Sequence, residues 1–153
     1  MIYYGKDAVA KVEEQEGKLT FVQAFIVQHE GYSTGAYDDT KGIVTSGVGQ
    51  TGKYRDMSFK DVFALMQKEI CDLILCYPVL DVRVKAVLMS AMYRGDLQQS
   101  PRFRELFNAG RFIEASEEFL DHKEYKDPTT PSGIKKRLQE VSDTIKEVYR
   151  EGK

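Results

Sequence analysis

Residues 30–50 read EGYSTGAYDDTKGIVTSGVGQ, and they divide the chain into two kinds of pattern. Upstream, TFVQAFIVQHE mixes apolar and polar residues at helical spacing, with Phe21, Ala24, Phe25 and Val27 among the apolar ones. Thr20 can cap the start of that helix, and Gly31 is a natural C-cap. Glu30 then stands at the negative end of the helix macrodipole with an apolar helix behind it. Both effects disfavour a negative charge there, which suits a general acid. Downstream, Asp38-Asp39-Thr40-Lys41-Gly42 is turn chemistry, and Ile43, Val44 and Thr45 read as a short β-branched strand. The stretch therefore predicts a hairpin with Asp39 at its turn and Thr45 on the returning strand. Gly47 and Gly49 allow close approach of backbone or substrate.

A carboxyl at a helix end, facing a second carboxylate and a hydroxyl across a groove, is a set that can hydrolyse a glycosidic bond. One group protonates the leaving oxygen and the others hold and activate a water. Taken singly, each residue has a plainer reading: a solvated helix end, a turn aspartate, a strand threonine. Their order and spacing carry the argument.

The spacing E-x8-D-x5-T, set within E-G-x5-Y-x-D-T-x-G-x2-T-x-G-x-G, resembles the T-even phage lysozyme family, glycoside hydrolase family 24. The matching residues are Glu30, Gly31, Tyr37, Asp39, Thr40, Gly42, Thr45, Gly47 and Gly49, without a gap. The resemblance implies Glu30 as general acid, with Asp39 and Thr45 positioning or activating water. It implies as substrate the β-1,4 bond between N-acetylmuramic acid and N-acetylglucosamine in peptidoglycan, cleaved with inversion. Tyr37, Gly49, Gln50 and Arg137 are the expected substrate contacts. Gln50 stands where many members of the family carry a structural His, so the change should bear on stability more than on chemistry. Weaker echoes lie in LFNAGRFIEAS (residues 106–116) and PSGIKKRL (residues 131–138). In the family a basic residue of the second region approaches the catalytic Glu, and Lys136 or Arg137 takes that place here.

The resemblance implies an α+β, mostly helical, lysozyme-like two-lobed fold. A small β-hairpin lobe, reduced in size, joins a helical lobe through a long helix. It spans residues 20–149; residues 1–19 are an N-terminal extension holding a short helix from Asp7 to Glu16, and residues 150–153 a tail. SFKDVFALMQKEICDLILCY, ended by Pro78, is the linking helix, with Val62, Leu65, Met66, Ile70 and Leu73 on its apolar face. Asp81 caps VRVKAVLMSAMY, the centre of the helical lobe. RFRELFN follows Ser100-Pro101, RFIEASEEFLDHKEY forms one further helix, and Ile134, Leu138, Val141, Ile145 and Tyr149 stripe the last.

Composition narrows the classes. The chain has 153 residues, 42% hydrophobic, with a formal net charge of −2. That size supports one soluble domain with a sizeable core, and the charge does not suit a nucleic-acid binder. Cys71 and Cys76, five apart on an expected helix, face different sides and should not bridge. His29 and His122 are isolated, so neither a metal nor a cofactor is expected. No basic, then apolar, leader is visible at the start and no run of about 20 apolar residues that could insert in a membrane. The expected protein is a monomeric bacteriophage endolysin that acts on peptidoglycan glycan strands with bacteriolytic, antimicrobial effect. It would stay in the host bacterial cytoplasm until a holin releases it to the periplasm and wall. Rival settings are a virion-associated or structural wall-binding protein and the catalytic domain of an antibacterial toxin. The Arg94-Gly95-Asp96 triplet also occurs in adhesion ligands, but three residues carry almost no weight.

Overall fold

The computed structural model describes residues 1–39, 41–121 and 123–151; Thr40 of the motif, His122 and the end of the tail lie outside the described residues. It is a mostly helical α+β structure with one four-stranded antiparallel sheet. Two compact units divide the chain, residues 1–67 and 68–153.

The first unit starts with β1 (Ile2–Tyr3) and α1 (Gly5–Glu16), then α2 (Phe21–Glu30). Thr20 and Gln23 close a reciprocal capping box at the start of α2. The Thr20 hydroxyl accepts from the Gln23 N–H at 3.2 Å, and the Gln23 amide oxygen accepts from the Thr20 N–H at 2.9 Å. Gly31 ends the helix at φ 78°, its N–H donating to the Val27 carbonyl at 2.8 Å. A Cβ at Gly31 would lie 2.9 Å from the Tyr3 carbonyl oxygen, so both conformation and space call for glycine there.

The sheet runs β1, β2 (Tyr32–Asp38), β3 (Val44–Gly47), β4 (Gln50–Thr51) in spatial order. Tyr37 pairs with Thr45 and Asp38 with Val44 across the expected hairpin, with an irregularity between Ser33 and Tyr37. Thr45 also pairs with Thr51 on β4. The hairpin is thus the middle of a larger sheet. Residues 1–19, read from sequence as an extension, supply its edge: Tyr3 pairs with Tyr32. Ala8 and Val12 of α1 are buried, and α1 packs on α2 and β2. The helix begins at Gly5 rather than at Asp7.

α3 (Phe59–Leu73) begins in the first unit and ends in the second. Ser58 accepts from the Asp61 N–H at 3.1 Å, and the Glu16 carboxylate accepts from Phe59 and Lys60 N–H at 3.0 and 2.9 Å. Phe59, Val62, Phe63 and Ile70 are its buried side; Leu65, expected inward, is exposed. The helix stops at Leu73, short of the Pro78 that the sequence points to. Asn108 is the physical reason: its amide donates to the Leu73 carbonyl at 2.9 Å and accepts from the Leu75 N–H at 3.0 Å. One side chain thereby satisfies groups left over at the helix end. Pro78 falls in a short 3₁₀ turn, Tyr77–Val79. Cys71 and Cys76 are free and partly buried.

The second unit continues with α4 (Val82–Arg94), α5 (Pro101–Asn108), α6 (Phe112–Phe119), α7 (Lys123–Lys126) and α8 (Ser132–Glu151). α4 is buried from Ala86 through Met92 and packs on α8. The Asp81 carboxylate caps it, accepting from the Arg83 N–H at 2.8 Å. Hydrogen bonds from the Arg83 side chain and then its backbone hold that carboxyl below the usual carboxylate range. Phe103, Phe107, Phe112, Phe119 and Tyr149 form a connected set of rings among α5, α6 and α8. α6 and α7 are separate helices where the sequence reads as one. The Arg94-Gly95-Asp96 triplet is a helix end closed on itself: Gly95 is left-handed, and the Arg94 guanidinium donates to Asp96 at 3.0 Å.

Candidate active site

Glu30, Tyr37, Asp39, Thr45, Gly49 and Gln50 all fall in the first unit, on α2, the sheet and its turns. Glu30 is the last residue of α2 and is partly exposed. The capping box fixes one end of its helix and Gly31 the other, so its backbone is held where the chain turns into β2.

Asp39 follows β2 and organises the hairpin turn. Its Oδ1 accepts from the Lys41 and Ile43 N–H groups, each at 2.8 Å. Its own N–H donates to the Ile43 carbonyl at 3.0 Å, and its carbonyl accepts from Gly42 N–H at 3.0 Å. All these bonds use Oδ1 or the main chain, which leaves Oδ2 outside the turn. Thr45 sits opposite Tyr37 and is only 4% exposed. Its hydroxyl donates to the Ile43 carbonyl at 3.0 Å, so the oxygen's lone pairs remain to accept.

Tyr37 lies opposite Thr45 on the neighbouring strand. Partial burial pushes its pKa up, and the Tyr4 phenol, the Asp39 carboxylate and the Glu30 carboxylate add to the shift in that order. One phenol therefore senses both carboxylates and stays a neutral donor at physiological pH.

Gln50, expected at the substrate, is buried instead, 4% exposed. Its amide donates to the Tyr54 and Met57 carbonyls at 2.6 and 2.7 Å and accepts from the Val48 N–H at 3.2 Å. The side chain is thereby committed to holding the segment after β4, in keeping with the structural role expected at that position. Gly47 makes room for it: at φ 58°, a Cβ would lie 2.6 Å from the Gln50 amide oxygen. Gly49 is in the same tight turn, at φ 59°. Arg137 belongs to the second unit, on α8, where its guanidinium donates to the Ser90 hydroxyl at 3.4 Å. Lys136 beside it is exposed.

Tyr4 is the residue that sequence reasoning missed. It lies outside the motif, and only the pairing of β1 with β2 brings it to Gly31 and Tyr37. Among the described residues no three His, Cys, Asp or Glu side chains are grouped to hold a metal ion, and no helix is long and apolar enough to cross a membrane.

The chain matches no family model and none of the curated proteins. Among solved structures it is similar to the active form of P1 phage endolysin Lyz. The TM-score is 0.70, over 97% of this chain and 97% of that one, at 11% identity. At that identity the likeness is one of fold, and the fold is lysozyme-like.

Proposed function

We propose that this chain is a peptidoglycan hydrolase, a muramidase that cleaves the β-1,4 bond between N-acetylmuramic acid and N-acetylglucosamine with inversion. One observation carries the reading. The E-x8-D-x5-T spacing falls on a helix end, a turn and a strand of one small unit. The lysozyme-like fold supports it.

In this reading Glu30 protonates the leaving oxygen. Asp39 and Thr45 receive the water. Oδ2 of Asp39 and the lone pairs of Thr45 are acceptors for that water, and Asp39 takes its proton as the new C–O bond forms and the glycosidic bond breaks. Tyr37 and the Gly49 backbone are the proposed substrate contacts in this unit. The setting that suits such an enzyme is a phage endolysin, acting as a monomer and released from the host cytoplasm to the wall through a holin.

Digestion of purified Gram-negative peptidoglycan by wild type and Glu30→Gln, with products weighed, tests the reading. Wild type should release reducing muropeptides carrying one added water, and Glu30→Gln should lose at least ~10²-fold in rate. Anhydro products would replace hydrolysis with transglycosylase chemistry. A folded wild type that releases nothing removes the enzyme reading.

A further inference from the structure

Tyr4 is held where its ring borders the Glu30 helix end. β1 pairs with β2 through Tyr3 and Tyr32, and the chain then turns at Tyr4 into α1. The Tyr4 carbonyl accepts from the Ala8 N–H at 3.3 Å, which ties its backbone to the first turn of that helix. Its ring lies on Gly31, the residue after Glu30: a Cβ there would be 3.2 and 3.4 Å from ring atoms Cδ1 and Cε1. The Tyr4 phenol also contributes, after burial, to the upward shift of the Tyr37 pKa. Yet Tyr4 is 67% exposed.

An anchored, mostly exposed aromatic ring contributes little to a core, and its open surface is left in water. Its backbone is fixed and it has only two side-chain torsions, so little entropy is lost when a partner covers it. A pyranose offers the matching surface. One side of the sugar ring is a patch of C–H groups, and its edges carry hydroxyl and acetamido groups that a phenol can hydrogen-bond.

We propose that Tyr4, supplied by the N-terminal segment, stacks on an N-acetylhexosamine ring of the glycan strand and with Tyr37 forms an aromatic wall beside Glu30. This rests on the hydrolase reading above and adds to it a substrate-positioning residue from outside the motif. Stacking serves binding of the strand rather than the bond-breaking step, so its loss should appear in KM and not in kcat.

The test is calorimetric binding of soluble glycan strands prepared from peptidoglycan, with Glu30→Gln as parent to prevent turnover. Adding Tyr4→Ala should raise Kd roughly three- to tenfold, and Tyr4→Phe should stay within about twofold. Ile2→Ala disturbs the same edge strand without touching the ring and should also stay within about twofold. In the active background, Tyr4→Ala should raise KM to a similar extent at unchanged kcat. An unchanged Kd for Tyr4→Ala, an equal loss in Tyr4→Phe, or an equal loss in Ile2→Ala overturns the stacking role. If wild type hydrolyses and Tyr4→Ala binds normally, the wall fails and the enzyme stands. If wild type hydrolyses nothing while Tyr4→Ala weakens binding, the wall stands and the enzyme reading fails. Absence of any glycan binding overturns the wall, and absence of hydrolysis beside it overturns the enzyme reading as well.

Discussion

At Asp39 one carboxylate oxygen takes two main-chain N–H bonds and the other lies outside the turn, which separates two substitutions that are usually grouped. Asp39→Asn keeps an oxygen to accept from Lys41 and Ile43 but removes the charge. It should cost ~10²-fold or more in rate while folding stability stays within about 0.5 kcal/mol. Asp39→Ala removes the acceptor as well and should cost a further ~1–2 kcal/mol. Steady-state rates set beside urea melts of the two variants check this. Equal destabilisation by both would show that the turn does not depend on Oδ1. Positions along the motif were legible because each rests on local chemistry: a helix stop at Gly31, an aspartate-bonded turn at Asp39, a β-branched return. The burial of Gln50 was not legible, because it depends on carbonyls at Tyr54 and Met57 that a residue-by-residue reading does not bring together.

At the scale of elements, helix starts were easier to read than helix ends and pairings. The Thr20 cap and the Ser58 cap can be seen within four residues of sequence, and both form. The end of α3 was misplaced because its cap, Asn108, comes from another helix. β1 escaped notice because two residues carry no periodicity, and its partner is about 30 residues away. α1 has an unannounced task of its own. Its last residue, Glu16, accepts from two N–H groups in the first turn of α3, where a negative charge also favours the helix dipole. Glu16→Ala should therefore destabilise the chain by about 1–2 kcal/mol and speed hydrogen exchange at the Phe59 and Lys60 amides first. Exchange that rises evenly across α3 would argue against a local cap.

At the scale of the whole molecule, two phenols set an alkaline limit. Burial first, then the neighbouring Cys71, pushes the Tyr77 pKa up to about 12; burial first, then Cys76 and Asp81, does the same for Tyr149. A phenol whose pKa is higher folded than unfolded stabilises the fold fully below the unfolded value, about 10, and loses that contribution as pH rises through the folded value. Stability should therefore hold to about pH 10 and fall between about 10 and 12. Solvent screening reduces the loss to the order of 1–2 kcal/mol for the pair. Denaturant melts across that range, with tyrosinate absorbance followed in parallel, check it; Tyr149→Phe should flatten part of the slope. The fold class was legible through the family resemblance that the motif carries, and the helices through their amphipathic spacing, whereas the participation of residues 1–19 in the sheet was not. That participation bears on the order in which the protein is made. Among the described residues every strand partner, from Ile2 to Thr51, lies in the first third of the chain, as do Glu30, Asp39 and Thr45. As the chain leaves the ribosome from its N-terminus, the backbone ladder of the sheet can form while α4 through α8 are still being translated.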